Sequence, residues 1–181
     1  LCTAMGLMMR NPPHYQPKPA GTHGLVPWDA ISRWDFWALW TMFFLNICAG
    51  ISLISAIVPM AKEIQGAKPA VAAVVAAAAS LCNGLGRMFW STVSDWIGRP
   101  AVFFIMFVSQ VIVFAALSRL PGIWPFGAAC CYILLCYGGG FGTMPAFTAD
   151  IFGHESVGRV YGPMLTAWSA GGVVGPIIYA A

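Results

Sequence analysis

Five long apolar runs constrain this chain more than any other feature. They cover roughly 36–60, 70–92, 101–118, 124–147 and 161–181, and the first carries Asn46, Ser52 and Ser55 in its interior. At a rise of 1.5 Å per residue, each can cross a hydrocarbon core of about 30 Å as a helix. The alternating ten-residue strands of a membrane barrel are missing, so helices are the expected way to satisfy the backbone in lipid. Composition closes the alternatives: 59% of the 181 residues are apolar and 8% are charged, against about 25% charged in an average soluble domain. A water-soluble enzyme, a nucleic-acid binder and a disordered segment are thereby excluded. The chain reads as an all-α integral membrane protein, multi-pass, with the lipid bilayer as its main partner.

Residues 1–9 are apolar and end at Arg10, Asn11, Pro12 and Pro13, as the end of a preceding transmembrane helix would. Residues 10–35, with Pro17, Pro19, Gly21, Gly24 and Pro27, suit a linker. Residues 36–181 form the bundle. The apolar finish at 173–181 makes the sequence read as a fragment that stops short of a last helix. Of six cysteines, Cys48, Cys82, Cys130, Cys131 and Cys136 lie in apolar runs without metal-ligand spacing, so structural thiols are expected, with no metal and no cofactor.

Arg10, Lys18, Arg33, Arg87, Arg99 and Arg159 fall on one side of the expected topology, and Lys62, Lys68 and Arg119 on the other. The richer side, which carries the 10–35 linker, is expected to be cytoplasmic. Trp28, Trp34, Trp37, Trp40, Trp90, Trp96 and Trp124 lie near expected helix ends, as interfacial anchors do, while Trp168 lies well inside the last run.

Helices in lipid approach closely through small residues. Gly171 and Gly175, followed by Pro176, supply such a face in the last run, as do Gly138, Gly139, Gly140 and Gly142 in the fourth. Interior polar groups are few. Asn83 and Arg87 stand four apart, on one helix face, with Arg87 about one turn inside the expected helix end. An in-span arginine either snorkels to headgroups or faces a cavity. In the second case it makes an anion site, because a guanidinium grips a carboxylate with two hydrogen bonds. Asn46, Gln110, Tyr137, Thr166 and Trp168 are further polar candidates.

The segment from Ser91 to Pro100 is expected to be a loop in which Asp95, Gly98 and Arg99 recur at fixed spacing. A carboxylate there can meet an arginine, and Gly98 frees the backbone for a tight turn. A second charged, glycine-rich loop, from Asp150 to Gly162, can supply matching partners.

These segments resemble the major facilitator superfamily (MFS). Ser91 to Pro100 is similar to its G-x-x-x-D-[RK]-x-G-R-[RK] signature: Asp95, Gly98 and Arg99 match, whereas Ser91, Trp96 and Pro100 replace the first Gly and the two basic residues. The segment from Gly171 to Pro176 resembles the G-x-x-x-G-P element of helix five, whose pseudo-symmetry mate is helix eleven. Within the superfamily the likeness is to the oxalate/formate antiporter group and its monocarboxylate-porter relatives. It is carried by Asn83-Gly-Leu-Gly86-Arg87, and by Phe152-Gly153 through Tyr161-Gly162 to Thr166-Ala-Trp168.

The resemblance implies an MFS-type helical bundle in which the runs are helices seven to eleven of twelve, with the N-terminal half of the transporter as partner. It implies a secondary carrier of a small organic anion, a monocarboxylate or an oxalate- or formate-type substrate, working by alternating access. Arg87 would bind the anion, and Asn83, Asn46 and Thr166 would add hydrogen bonds. Asp95, Gly98 and Arg99 would latch one conformation, and Gly171, Gly175 and Pro176 would serve helix packing. Asn83 stands where monocarboxylate porters carry a titrating acid. Nothing basic lies in 161–181, where oxalate carriers use a lysine. The other readings are a carrier of another solute and a non-transporting sensor or subunit. A membrane-embedded enzyme fits poorly, since His14, His23 and His154 all fall in loops.

Overall fold

A computed structural model describes residues 27–180. The segment 1–9 and most of the linker, up to residue 26, lie outside the described residues. Those described are helical apart from short connections, with no strand among them. The elements are α1 (Pro27–Ile31), α2 (Trp34–Glu63), α3 (Pro69–Ile97), α4 (Arg99–Leu117), α5 (Ile123–Phe152), α6 (Val157–Met164) and α7 (Thr166–Ala180). The end of the linker is thus ordered, with α1 inside it and Trp34 already opening α2.

Helices α2, α3, α4 and α5 are each long and apolar enough to span a membrane. The fifth run is not one helix: it breaks at Leu165 into α6 and α7. Pro163 has no N–H to continue the ladder, and the Thr166 hydroxyl donates to the Pro163 carbonyl at 2.7 Å. Helix α3 also runs further than expected, so that Ser91 to Asp95 are helical. Their hydroxyls turn back onto the helix: Thr92 donates to the Met88 carbonyl at 2.9 Å and Ser94 to the Ser91 carbonyl at 2.7 Å.

The bundle is organised by two parallel helix pairs, α3 with α5 and α2 with α7, with α2 also packed on α5 and α4 flanking α3 and α5. The core between them contains Phe43, Ile47, Phe103, Met106, Ile133, Leu134 and Met144, all essentially inaccessible. One end of the bundle, hereafter the α1 end, gathers α1, the α3–α4 turn and the α5–α6 turn. At the other end Gln65 donates to the Leu120 carbonyl at 3.1 Å, tying together the two opposite turns. Trp28, Trp34, Trp96 and Trp124 are three-quarters exposed or more, as interfacial anchors are. Trp90 and Trp40 depart from that belt: Trp90 is buried, and the Trp40 indole donates to the Thr166 hydroxyl at 2.9 Å. The five described cysteines are free thiols.

Candidate functional site

Arg87 is the one charged residue in the interior of α3, and the length of the helix sets its depth. Ten residues separate it from Ile97, or about 15 Å at the helical rise. It therefore lies close to three turns inside, not one, and Asn83 falls at the midpoint of the helix. The guanidinium is exposed on this chain.

Helix α5 positions this stretch through its glycines. A Cβ at Gly138 would collide with the Asn83 carbonyl oxygen, one at Gly86 with the Leu135 carbonyl, and one at Gly142 with the Arg87 backbone. The backbones of α3 and α5 are in direct contact at these points, so Asn83 and Arg87 are held on a stiff platform. The Asn83 Oδ1 is buried there without a hydrogen-bond partner.

Above that platform is a cluster of aromatic rings. The Arg87 guanidinium lies over the Phe141 ring, 5.5 Å from its centroid. Phe141 in turn meets three other rings edge-on: Phe43 at 5.0 Å, Tyr137 at 5.4 Å and Trp168 at 6.0 Å. The Arg87 charge also reaches the hydroxyls of Tyr137 and Tyr161. Helices α2, α3, α5, α6 and α7 thus each bring a side chain to one face, with a single fixed cation at about mid-depth. A cation over an aromatic ring stays partly satisfied without a counter-ion, which keeps its donors available for a carboxylate.

The four residues expected to bind substrate are not all brought together. Asn83 and Arg87 share the face described. Asn46 is wholly buried between α2 and α5, against Gly140, where its Nδ2 donates to the Tyr137 carbonyl at 3.2 Å and its Oδ1 has no partner. Thr166 is exposed at the α6–α7 break, but its hydroxyl accepts from Trp40 Nε1 at 2.9 Å while donating to Pro163. Phe141 and Tyr161 did not stand out in the sequence. Phe141, a large ring set among four glycines, carried a readable signal; the position of Tyr161 depends on how α6 folds back, and no local pattern encodes it.

At the α1 end, Gly98 separates α3 from α4 with φ at +89°, a conformation in which a side chain would be strained. This single-residue turn brings Arg99 back onto α3. Its Nη1 pairs with Asp95 Oδ1 at 2.6 Å and also reaches the Ser94 hydroxyl. Its Nε donates to Asp150 Oδ2, on the last turn of α5, at 3.2 Å. One arginine thereby joins α3, α4 and α5. In the other helix pair, a Cβ at Gly171 would come within 2.6 Å of Ile47 Cγ2, and one at Gly175 within 3.1 Å of the Cys48 carbonyl. The Ser52 hydroxyl donates to the Gly175 carbonyl at 2.7 Å, and Pro176 continues inside α7.

Comparison with known proteins places this architecture. Apicoplast pyruvate carrier 1 of Toxoplasma gondii is 32% identical over 143 residues, covering 74% of this chain and 25% of that carrier. The oxalate:formate antiporter of Oxalobacter formigenes is 30% identical over 143 residues, covering 78% of this chain and 34% of the antiporter. A lysoplasmalogenase of Mycobacterium bovis is 31% identical over 118 residues, covering 60% of this chain and 45% of that protein. The chain spans less than half the length of each of these relatives. The profile of the Major Facilitator Superfamily matches residues 1–176, nearly the whole sequence. With its all-α bundle of membrane-spanning helices, the chain belongs to the Major Facilitator Superfamily and is part of an integral membrane protein.

Proposed function

We propose that the protein to which this chain belongs is a secondary carrier that moves a small organic monocarboxylate by alternating access, with Arg87 holding the carboxylate. The observation that carries this reading is the placement of Arg87. A charge in mid-membrane costs several kcal/mol unless it faces a cavity or a partner, and here the guanidinium lies on an open aromatic face and not at a helix end. Two of the similar proteins are named as a pyruvate carrier and an oxalate:formate antiporter, which supports an organic anion as cargo. A single in-span cation suits a monoanion such as formate, lactate or pyruvate. Asn83 offers hydrogen bonds beside Arg87 but no titratable proton.

In this reading the α1 end is cytoplasmic, on the side richer in Lys and Arg. The missing wall of the site comes from the N-terminal half, against which this bundle rocks. The Asp95–Arg99–Asp150 cluster latches one of the two states.

Counterflow of labelled formate, lactate, pyruvate and oxalate into proteoliposomes holding the full-length protein tests the proposal, with wild type beside Arg87→Gln. Removing one partner of a desolvated charge pair costs about 2 kcal/mol or more, so carboxylate exchange should fall by roughly thirtyfold or further. Undiminished exchange in Arg87→Gln would make the residue a snorkelling anchor. A rival reading, an enzyme, draws on the lysoplasmalogenase likeness, which reaches over fewer residues than the superfamily profile; absence of counterflow for all four acids would favour it, a carrier of another solute or a non-transporting sensor.

A further inference from the structure

We infer that α6 is a hinged cap at the α1 end of the bundle, and that the hydrogen bond from Trp40 to Thr166 is the pin that holds the cap in the conformation seen here. The cap's effect on transport rests on the Arg87 reading above; the hinge itself does not.

The two sides of the break are anchored very differently. Helix α7 is seated on α2 through Gly171 and Gly175, with the Ser52 hydroxyl bonded to the Gly175 carbonyl. Helix α6 buries only Val160 and Met164. A Cβ at Gly158 or Gly162 would meet nothing, so the outer side of α6 has room around it.

Between them the ladder is depleted. The Leu165 N–H is shared between the carbonyls of Tyr161 and Gly162, at 3.0 and 3.1 Å, and the Trp168 N–H reaches back only three residues, to Leu165. Pro163 contributes no donor, and its carbonyl is taken by Thr166. Few backbone bonds need to change for α6 to pivot about Leu165 while α7 stays in place.

Trp40 is well placed to restrain that pivot. Its ring stacks on Phe44 at 5.3 Å and 9°, so the indole N–H is aimed by the ring's own packing. It donates at 2.9 Å to the one hydroxyl that also grips the Pro163 carbonyl. Breaking this bond frees the hinge residue itself. The consequence lies at Tyr161: it rides on α6, within reach of the Arg87 charge, whereas Trp168 rides on α7 against Phe141. A pivot of α6 moves the tyrosine relative to the cation and leaves the indole where it is. Thr166 is then a positioning residue for the cap and not a substrate contact.

Hydrogen–deuterium exchange on the full-length protein in nanodiscs, without substrate, reads the pin directly. Trp40→Phe keeps the ring stack and loses the donor; Thr166→Val loses the hydroxyl. Either should speed amide exchange in 157–165 by about threefold to tenfold, the net worth of one hydrogen bond. Exchange in 166–180 should not change, the double variant should add nothing further, and Thr166→Ser should behave as wild type. Unchanged exchange in 157–165 in both variants overturns the proposal. So does an equal rise on both sides of the break, or an additive double variant. In counterflow, the same variants should change the maximal rate and leave KM within about twofold. A raised KM at an unchanged rate would return Thr166 to the binding site. Because the first readout needs no substrate, undiminished carboxylate counterflow in Arg87→Gln would sink the anion site and leave the hinge standing.

Discussion

Helices α3 with α5 and α2 with α7 are both parallel pairs that use glycine to come close, yet their glycines meet different things. In the first pair Gly138 and Gly86 each lie against a main-chain carbonyl of the other helix, and Gly142 against the Arg87 backbone. In the second, Gly171 faces the Ile47 side chain, and the backbone contact at Gly175 is looser. A backbone cannot rotate away from an intruding methyl group, whereas a side chain can. The pair that carries Arg87 is therefore the stiffer one. The pair that continues into the α6–α7 break can yield. The proposed carrier would draw on both properties, a fixed charge and an element that moves past it.

Alanine substitutions break or sharpen that contrast, and the largest effect is expected at Gly138. Overpacking a close interface costs about 1–3 kcal/mol, and Gly138→Ala should fall at the upper end or fail to accumulate folded protein. Gly171→Ala should cost less, about 1–2 kcal/mol, because the added methyl meets Ile47 Cγ2 at 2.6 Å and no main-chain atom closer than 3.4 Å, so a small shift of α7 relieves it. Gly158→Ala, which meets nothing, should stay within about 0.5 kcal/mol of wild type. Thermal unfolding of the three full-length variants in one detergent gives the ranking. Equal losses in Gly138→Ala and Gly171→Ala would dissolve the distinction between the pairs.

The same contrast explains what could be read from the residues in advance. Arg87 was visible because a charge inside an apolar run has few innocent explanations. Its depth was not, because Ser91, Thr92, Ser94 and Asp95 have the composition of a loop, whereas the Thr92 and Ser94 hydroxyls bond back onto carbonyls of their own helix. The glycine face of α5 was legible as a packing surface, but its partner was not: nothing local says that Gly138 meets Asn83 while Gly140 meets Asn46. Pro176 lies inside α7 without breaking it, yet the chain breaks at Leu165. There the proline and a competing hydroxyl act on the same carbonyl, and Trp40 arrives from 126 residues away to support the arrangement. Tertiary contacts of that range leave no trace in periodicity.

The smallest expected effects lie in the charge cluster at the α1 end, and they test whether the stiff pair is also latched. Arg99 is mostly covered, with 18% of its side chain exposed, while Asp95 and Asp150 are 61% and 50% exposed. Ion pairs this open to solvent contribute about 0–1 kcal/mol, so a conformational ratio should change by at most about fivefold. Asp95→Asn weakens the closer contact, at 2.6 Å, and Asp150→Asn the longer one, at 3.2 Å. Both remove contacts made in this conformation, so its population should fall, more in Asp95→Asn than in Asp150→Asn. Intrinsic substrate affinity should remain, because neither residue touches the Arg87 face. The shift should shrink as salt is raised from 0.01 M to about 0.15 M, where the screening length drops to about 8 Å. Conformation-specific crosslinking at two ionic strengths measures the ratio. Identical populations in wild type and Asp95→Asn would reduce the cluster to a helix tie. The rocking motion would then be governed by α6 and the α2–α7 pair, with no latch on the platform that holds the charge.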